Sequence, residues 1–267
     1  MTLSEAAHRV GTPEHDEAVE FLRRDRAWAA YPLGYLDPAG GTTTEVHGLS
    51  GPQGLEALVV IAHLPSLLNI FATGEPRAVS TVLAEMPRLP ASGVFSARAE
   101  VLDSMERHLQ VTTAYRMRRM RVRQNELRPR HEGLPVRLGL EHLDQVRRLY
   151  GLWTDNHQLP GQLSAGVYYG VFFGDQLVSA AGTHALSLQS GVGAIGNVLT
   201  HASHRGQGLA SSTTTAVAQE LFARGCEDVV LNVRQGNDIA LVTYQKLGFT
   251  DCCTFIEGVF HARIMVT

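Results

Sequence analysis

The 267-residue sequence predicts an α/β protein with a mixed sheet, built as two domains. Three observations carry this. The length exceeds the roughly 100–200 residues of one ordinary domain. Strand-length apolar runs alternate with helical stripes through the second half, and glycines stand where a helix needs a left-handed stop. Hydrophobic residues at 44 % and charged residues at 18 % describe a globular chain, which excludes a wholly disordered, collagen-like or coiled-coil protein.

In chain order, a helix is expected from about Glu17 to Ala30, followed by a turn at Tyr31-Pro32-Leu33-Gly34. Leu55 to Ala62 is an apolar run of strand length, and Val79, Val82, Leu83 and Met86 mark a helix over 77–86. Val111 to Arg123 predicts a strand closing the first domain, residues 1–125. The polar stretch 126–135, with two prolines and a glycine, is the expected linker, and 136–267 the second domain.

In that second domain Leu143, Val146, Leu149, Tyr150 and Trp153 recur at spacings of three and four, the stripe of an amphipathic helix. VYYGVFF and LVSAAGTH, separated by Gly174-Asp175-Gln176, read as a hairpin. A strand over 194–200, a helix over 209–224 stopped by Gly225, a strand over 227–233, a helix over 238–247 stopped by Gly248 and final strands over 249–260 complete the series.

Charge and cysteine content narrow the function classes. With 23 Lys+Arg against 26 Asp+Glu, the net charge of −3 creates no global attraction for nucleic acid or an anionic membrane. The arginines Arg116, Arg118, Arg119, Arg121, Arg123, Arg128 and Arg130 would be divided between two strand faces, and only Tyr115 stands near them for stacking, so no nucleic-acid partner is expected. Three cysteines, Cys226, Cys252 and Cys253, make no disulfide framework. The N-terminus lacks an apolar signal core, and the greasiest stretch, Leu55 to Ala72, is interrupted by His63, Pro65 and Asn69. A cytoplasmic protein without membrane association follows as the expectation.

The most informative run is Asn197 to Ala210, NVLTHASHRGQGLA. A strand feeds a loop with Gly206 and Gly208, and the loop feeds a helix whose first N–H groups have no intrahelical partner. That combination is an anion cradle, and the glycines let a phosphate approach the backbone. It contains neither G-x-G-x-x-G nor a Gly-Lys-Ser/Thr sequence, so it is not a dinucleotide fingerprint or a P-loop. His201 and His204 are three apart but lack further ligands nearby, and no metal is expected.

Arg205-x-x-Gly208-x-Ala210 resembles the acetyl-CoA signature R/Q-x-x-G-x-G/A of the GNAT N-acetyltransferase superfamily. The later block Asn237-x-x-Ala240-x-x-x-Tyr244-x-x-x-Gly248-Phe249 is similar to its N-x-x-A-x-x-x-Y-x-x-x-G-F pattern. The resemblance covers about 130–267 and leans to the branch that includes glycine N-acyltransferase-like enzymes. It implies a GNAT fold, with the first domain a degenerate GNAT-like partner that carries no such signature.

The resemblance further implies acetyl-CoA as cosubstrate, its pantetheine arm paired with the backbone of Val198, Leu199 and Thr200. Amides of Arg205, Gly206, Gln207, Gly208, Leu209 and Ala210 would hold the pyrophosphate, with Asn237 and Ala240 on the cofactor's far side. Tyr244 would protonate the departing thiolate, and a small-molecule or peptide amine would be the acceptor. Ala202 departs from the proline often found there. The general base stays open among His184, His201, Asp155 and water, and Trp153, Asp155, Asn156 and His157 border the expected acceptor site. A CoA-binding or sensing module without turnover is the alternative. The protein is expected to be a monomer or homodimer.

Overall fold

The computed structural model describes residues 9–65, 67–151 and 159–263. The chain runs from β1 (Arg9–Gly11) and α1 (His15–Arg23) through α2 (Ala30–Leu36), β2 (Thr43–Gly51), β3 (Gly54–Leu64), β4 (Leu67–Gly74), α3 (Pro76–Glu85), β5 (Ser92–Ala97) and α4 (Ala99–Glu106) to β6 (Leu109–Val122). Then come β7 (Val136–Arg137), α5 (Leu143–Tyr150), α6 (Leu159–Ala165), β8 (Tyr168–Phe173), β9 (Gln176–Ser187) and β10 (Val192–Thr200). The last elements are α7 (Leu209–Ala223), β11 (Asp228–Arg234), α8 (Asp238–Lys246) and β12 (Thr250–Ala262).

The chain divides into two compact units. One takes residues up to Arg24, Thr42–Met117 and those from Thr254 onward; the other takes Asp25–Gly41 and Arg118–Cys253. The segments expected from sequence, 1–125 and 136–267, are contiguous, whereas each unit here is assembled from separated stretches, because strand pairing rather than chain order fixes membership.

In the first unit the strands lie in the order β1-β2-β3-β4-β5-β12-β6, with β4 and β5 parallel. Helix α3 begins at Pro76, where no N–H is needed, and the Glu75 carboxylate accepts a bond from the Ala78 amide at 2.8 Å. Its apolar face, Ala78, Val79, Val82 and Leu83, packs into one cluster with Val59, Ile61, Ile70 and Phe95.

In the second unit the order is β12-β6-β11-β10-β9-β8-β7, with β10 and β11 parallel. The strands bury both faces. Ala181 and Ile195 join Val217, Ala218 and Leu221 of α7, while Ala180 joins Leu138, Val146, Leu163 and Tyr168 on the face covered by α5 and α6. Positive φ at Gly225 (102°) and Gly248 (95°) ends α7 and α8 as the sequence leads one to expect.

The first half departs from expectation at one place that matters later. The helix expected over 17–30 stops at Arg23, and Tyr31-Pro32-Leu33-Gly34 lies inside α2 rather than in a turn. Pro32 is tolerated in the first turn of a helix. Gly34 is there for contact, because a Cβ on it would stand 2.8 Å from the Ala185 side chain and 2.9 Å from the Leu186 amide nitrogen of β9. Strands β2, β4 and β5 and helices α4 and α6 were not expected, and the final strands over 249–260 are one continuous strand, β12.

Candidate functional site

The site begins where two neighbouring strands part. Parallel pairing of β10 with β11 runs from Val192↔Asp228 to Ile195↔Leu231 and stops, although β10 continues to Thr200 and β11 to Arg234. The antiparallel pairing of β10 with β9 persists through a bulge between Gly196 and Leu199, where Asn197 takes a left-handed φ of 52°. The result is a notch along Gly196–Thr200, all half-buried, with main-chain groups on its β11 side released from the ladder. Val198, Leu199 and Thr200 form its floor. Thr200 is tied to Ser179 of β9 through their hydroxyls at 2.9 Å.

The open end of the notch leads into the glycine loop. Residues 202–204 make a single 3-10 turn, and the exposed Arg205 folds back so that its Nε donates to the Thr200 carbonyl at 3.2 Å. Gly206 and Gly208 both take φ of 77°, and nothing lies within 4 Å of a Cβ built on Gly206. Gly208 is the N-cap of α7, so the free amides of Gly208, Leu209 and Ala210 and the positive helix end converge on this loop. A phosphate fits that cradle. One side chain already carries negative charge into it: Glu132, from the expected linker, lies against Gly208.

Asn237 is the N-cap of α8, and its side-chain oxygen accepts the Ala240 amide at 3.2 Å, which gives the first two positions of the second sequence block a capping role. Tyr244 is 8 % exposed, with its ring edge-on to Phe249 at 6.0 Å. It belongs to the cluster against which Val198 and Ala240 pack. Burial pushes its pKa up to about 12, so its hydroxyl keeps its proton at neutral pH.

The structure brings together, at the closed end of the notch, a set of polar residues that the sequence leaves scattered. Gly182 of β9 pairs with Gly196 of β10. A Cβ on Gly182 would fall into the ring of Tyr168, and one on Gly196 into the ring of His184, so both glycines exist to admit an aromatic ring. The Asn197 amide donates to the Tyr168 hydroxyl at 2.7 Å, Tyr168 donates to Gln162 at 2.9 Å, and the Tyr150 hydroxyl donates to the Asn197 carbonyl at 2.6 Å. Burial raises the pKa values of Tyr150 and Tyr168, leaving both neutral. From α2, the Tyr31 hydroxyl stands 3.3 Å from His184 Nδ1.

Arg119 was hidden in the arginine run. It is 1 % exposed, donates to Asn232 of β11 at 2.9 Å and to the Trp28 carbonyl, and lies 5.0 Å from the ring centres of both Trp28 and Tyr31. Its neighbours diverge from it: Arg118 pairs with Asp251, and Arg121 and Arg123 with Asp228. His201 and His204 share the Ser203 hydroxyl at 2.7 and 2.9 Å, and no group of three metal-ligating side chains occurs among the described residues. Trp153, Asp155, Asn156 and His157 lie outside the described residues. No described helix is long and apolar enough to cross a membrane.

Residues 139–249 match the model of the acetyltransferase (GNAT) family. An acetyltransferase of Pectobacterium atrosepticum is 38 % identical over 65 residues, 24 % of this chain, and the match spans 46 % of that protein's length. A GCN5-related N-acetyltransferase from Kribbella flavida has the same fold, with a TM-score of 0.66 at 17 % identity over 90 % of this chain and 96 % of the other. A tandem GNAT protein from the clavulanic acid biosynthesis pathway superposes with a TM-score of 0.59 at 11 % identity, covering 97 % of this chain and 99 % of its own. At such identities these two establish the fold.

Proposed function

From the match of residues 139–249 to the acetyltransferase (GNAT) family model we propose that the chain is an acetyl-CoA-dependent N-acetyltransferase acting on a primary amine. The observation that carries the reading is the opening of β10 from β11 after Ile195↔Leu231, directly upstream of a helix N-terminus preceded by two left-handed glycines. An extended pantetheine arm adds to the released edge at Val198–Thr200 as a further strand, and the amides of Arg205–Ala210 hold the pyrophosphate. Those phosphates lie at the open end, so the thioester reaches the closed end near Gly196.

There a free amine attacks the thioester carbonyl, whose oxygen is polarised by main-chain amides near Val198. The leaving thiolate takes a proton from Tyr244. Its buried, protonated hydroxyl has the charge state that a general acid needs. Asn237 sets the first turn of α8 and thereby the placing of Ala240 and Tyr244.

Thermal unfolding with acetyl-CoA, CoA and ATP tests the cradle. At about 100 times the dissociation constant a native-state ligand adds about 2.7 kcal/mol, enough for a shift of several degrees. Shifts with both CoA species and not with ATP are expected, followed by thiol release on a panel of amines. No shift with acetyl-CoA overturns the proposal. A shift without turnover on any amine points to a binding module.

A further inference from the structure

We infer that His184 is the proton acceptor for the incoming amine and that Tyr31 is the residue that positions it. The inference rests on the acyl-transfer reading above.

Four observations converge on the imidazole. The first is place: Gly196 is the first residue of β10 beyond its last pair with β11, and the ring of His184 occupies the space that any side chain on Gly196 would need. That is the closed end of the notch. The second is backbone: Ala185 pairs with Ala194 and Thr183 with Ile195, leaving His184 as an extra residue in β9. A bulge re-aims the side chain it carries, and bulges recur beside active sites.

The third observation is orientation, because the Tyr31 hydroxyl meets Nδ1 at 3.3 Å and the two rings pack edge to face at 6.2 Å. The fourth is charge. Among the described residues the phenol of Tyr31 from α2 meets the imidazole, those of Tyr150 from α5 and Tyr168 from β8 bond Asn197, which itself bonds His184, and β10 contributes no titratable side chain. The charged group on Tyr31 is the guanidinium of Arg119, 5.0 Å from the centre of that ring. His184 keeps a solvent-accessible face. Even so, loss of solvent lowers its pKa below the ordinary 6.5, outweighing a hydrogen bond with Asn197 that acts in the opposite sense. The ring is therefore unprotonated at neutral pH and open to an acceptor.

An alkyl amine arrives as an ammonium ion. One ammonium proton passes to the imidazole and from there to solvent, and the freed nitrogen lone pair forms the N–C bond to the thioester carbonyl. As the adduct collapses the C–S bond breaks with its electron pair on sulfur, and the sulfur takes the Tyr244 proton. The second nitrogen proton returns through water to Tyr244, so the products are the amide, CoA thiol and one released proton.

The test pairs His184→Gln with two acceptors, benzylamine, which is protonated at neutral pH, and methoxyamine, which is not. The variant is expected to keep the wild-type thermal shift with acetyl-CoA, to lose about 10²–10⁴-fold in kcat/KM toward benzylamine, and to lose the acid limb of the pH profile. The methoxyamine rate should change far less. Tyr31→Phe should displace the acid limb with a smaller loss. Equal losses on both amines, or an unchanged limb, overturn the inference.

A second measurement needs no acceptor. Diethyl pyrocarbonate acylates unprotonated imidazoles, and peptide mapping should show that bound acetyl-CoA shields His184 while the exposed His15 stays reactive. If acetyl-CoA binds and His184 is unshielded, the inference falls and acyl transfer stands; if acetyl-CoA does not bind, both fall.

Discussion

The carboxyl carbon of Glu132 lies 3.1 Å from the point that a Cβ on Gly208 would occupy. The side chain thus places a negative charge at the positive end of α7, in the cradle assigned to a pyrophosphate. A carboxylate is welcome there while the site is empty and opposes the arriving phosphates. Glu132→Gln should tighten acetyl-CoA binding by about two- to fivefold at low salt, with the gain shrinking as ionic strength rises. Calorimetric titration at two salt concentrations checks it; unchanged affinity at both would place the phosphates elsewhere.

Gly208→Val acts on the same cradle through the backbone. At φ of 77° a side chain costs about 1–2 kcal/mol, more for a β-branched one, and the new carbons also meet Glu132. Acetyl-CoA affinity should fall at least about tenfold, read by the same titration, with the far-ultraviolet circular dichroism unchanged.

Tyr244→Phe removes a proton donor and little packing. The turnover number should drop by about 10²–10⁴-fold while acetyl-CoA affinity holds. Stability supplies a second reading. Because burial raises the native pKa to about 12 from an ordinary 10, the hydroxyl's contribution is complete below pH 10 and is lost as pH climbs toward 12. Urea unfolding of the variant should lose that alkaline decline.

Asp228 holds three arginines. Burial alone would raise its carboxyl, but hydrogen bonds from Arg26, at 3.0 and 2.7 Å, and from Arg123, at 3.1 Å, prevail and hold it below the ordinary 3.8. Its contribution is present above pH 3.8 and is lost as pH falls through the native value. Asp228→Asn should cost about 2–3 kcal/mol at neutral pH, less than a fully buried pair because Arg123 is half-exposed. The variant should unfold with a flatter acid limb, measured by denaturant titration between pH 2 and pH 6, a range set around the carboxylate value of about 3.9.

How far the sequence speaks depends on whether a signal is local. Gly225, Gly248, Asn237 and the Gly174-Asp175 hairpin work through their own backbone, so the elements they bound read correctly. Gly34 looks like a turn residue because its reason, Ala185 of β9, is far away in the chain. His184 stands in an ordinary strand-like run, and only the register against β10 makes it the extra residue in its strand. Arg119 sits among arginines of the same strand and is set apart by Trp28, Tyr31 and Asn232, none of them nearby in sequence. The glycine loop before α7 was legible in advance; the side chains gathered around Asn197 and His184 were not.

Asp25–Gly41 belongs with Arg118–Cys253, which makes Thr42–Met117 an insertion in the topology of the second unit. A gene fragment starting at the 126–135 loop would discard α2 with Tyr31, and with it Trp28, Arg119 and the whole of β6. Keeping the second unit whole in another protein therefore requires joining Gly41 to Arg118 with an artificial connector, or carrying Thr42–Met117 along. A cut at the apparent linker would yield the Gly206–Gly208 loop without the helix that brings Tyr31 to His184.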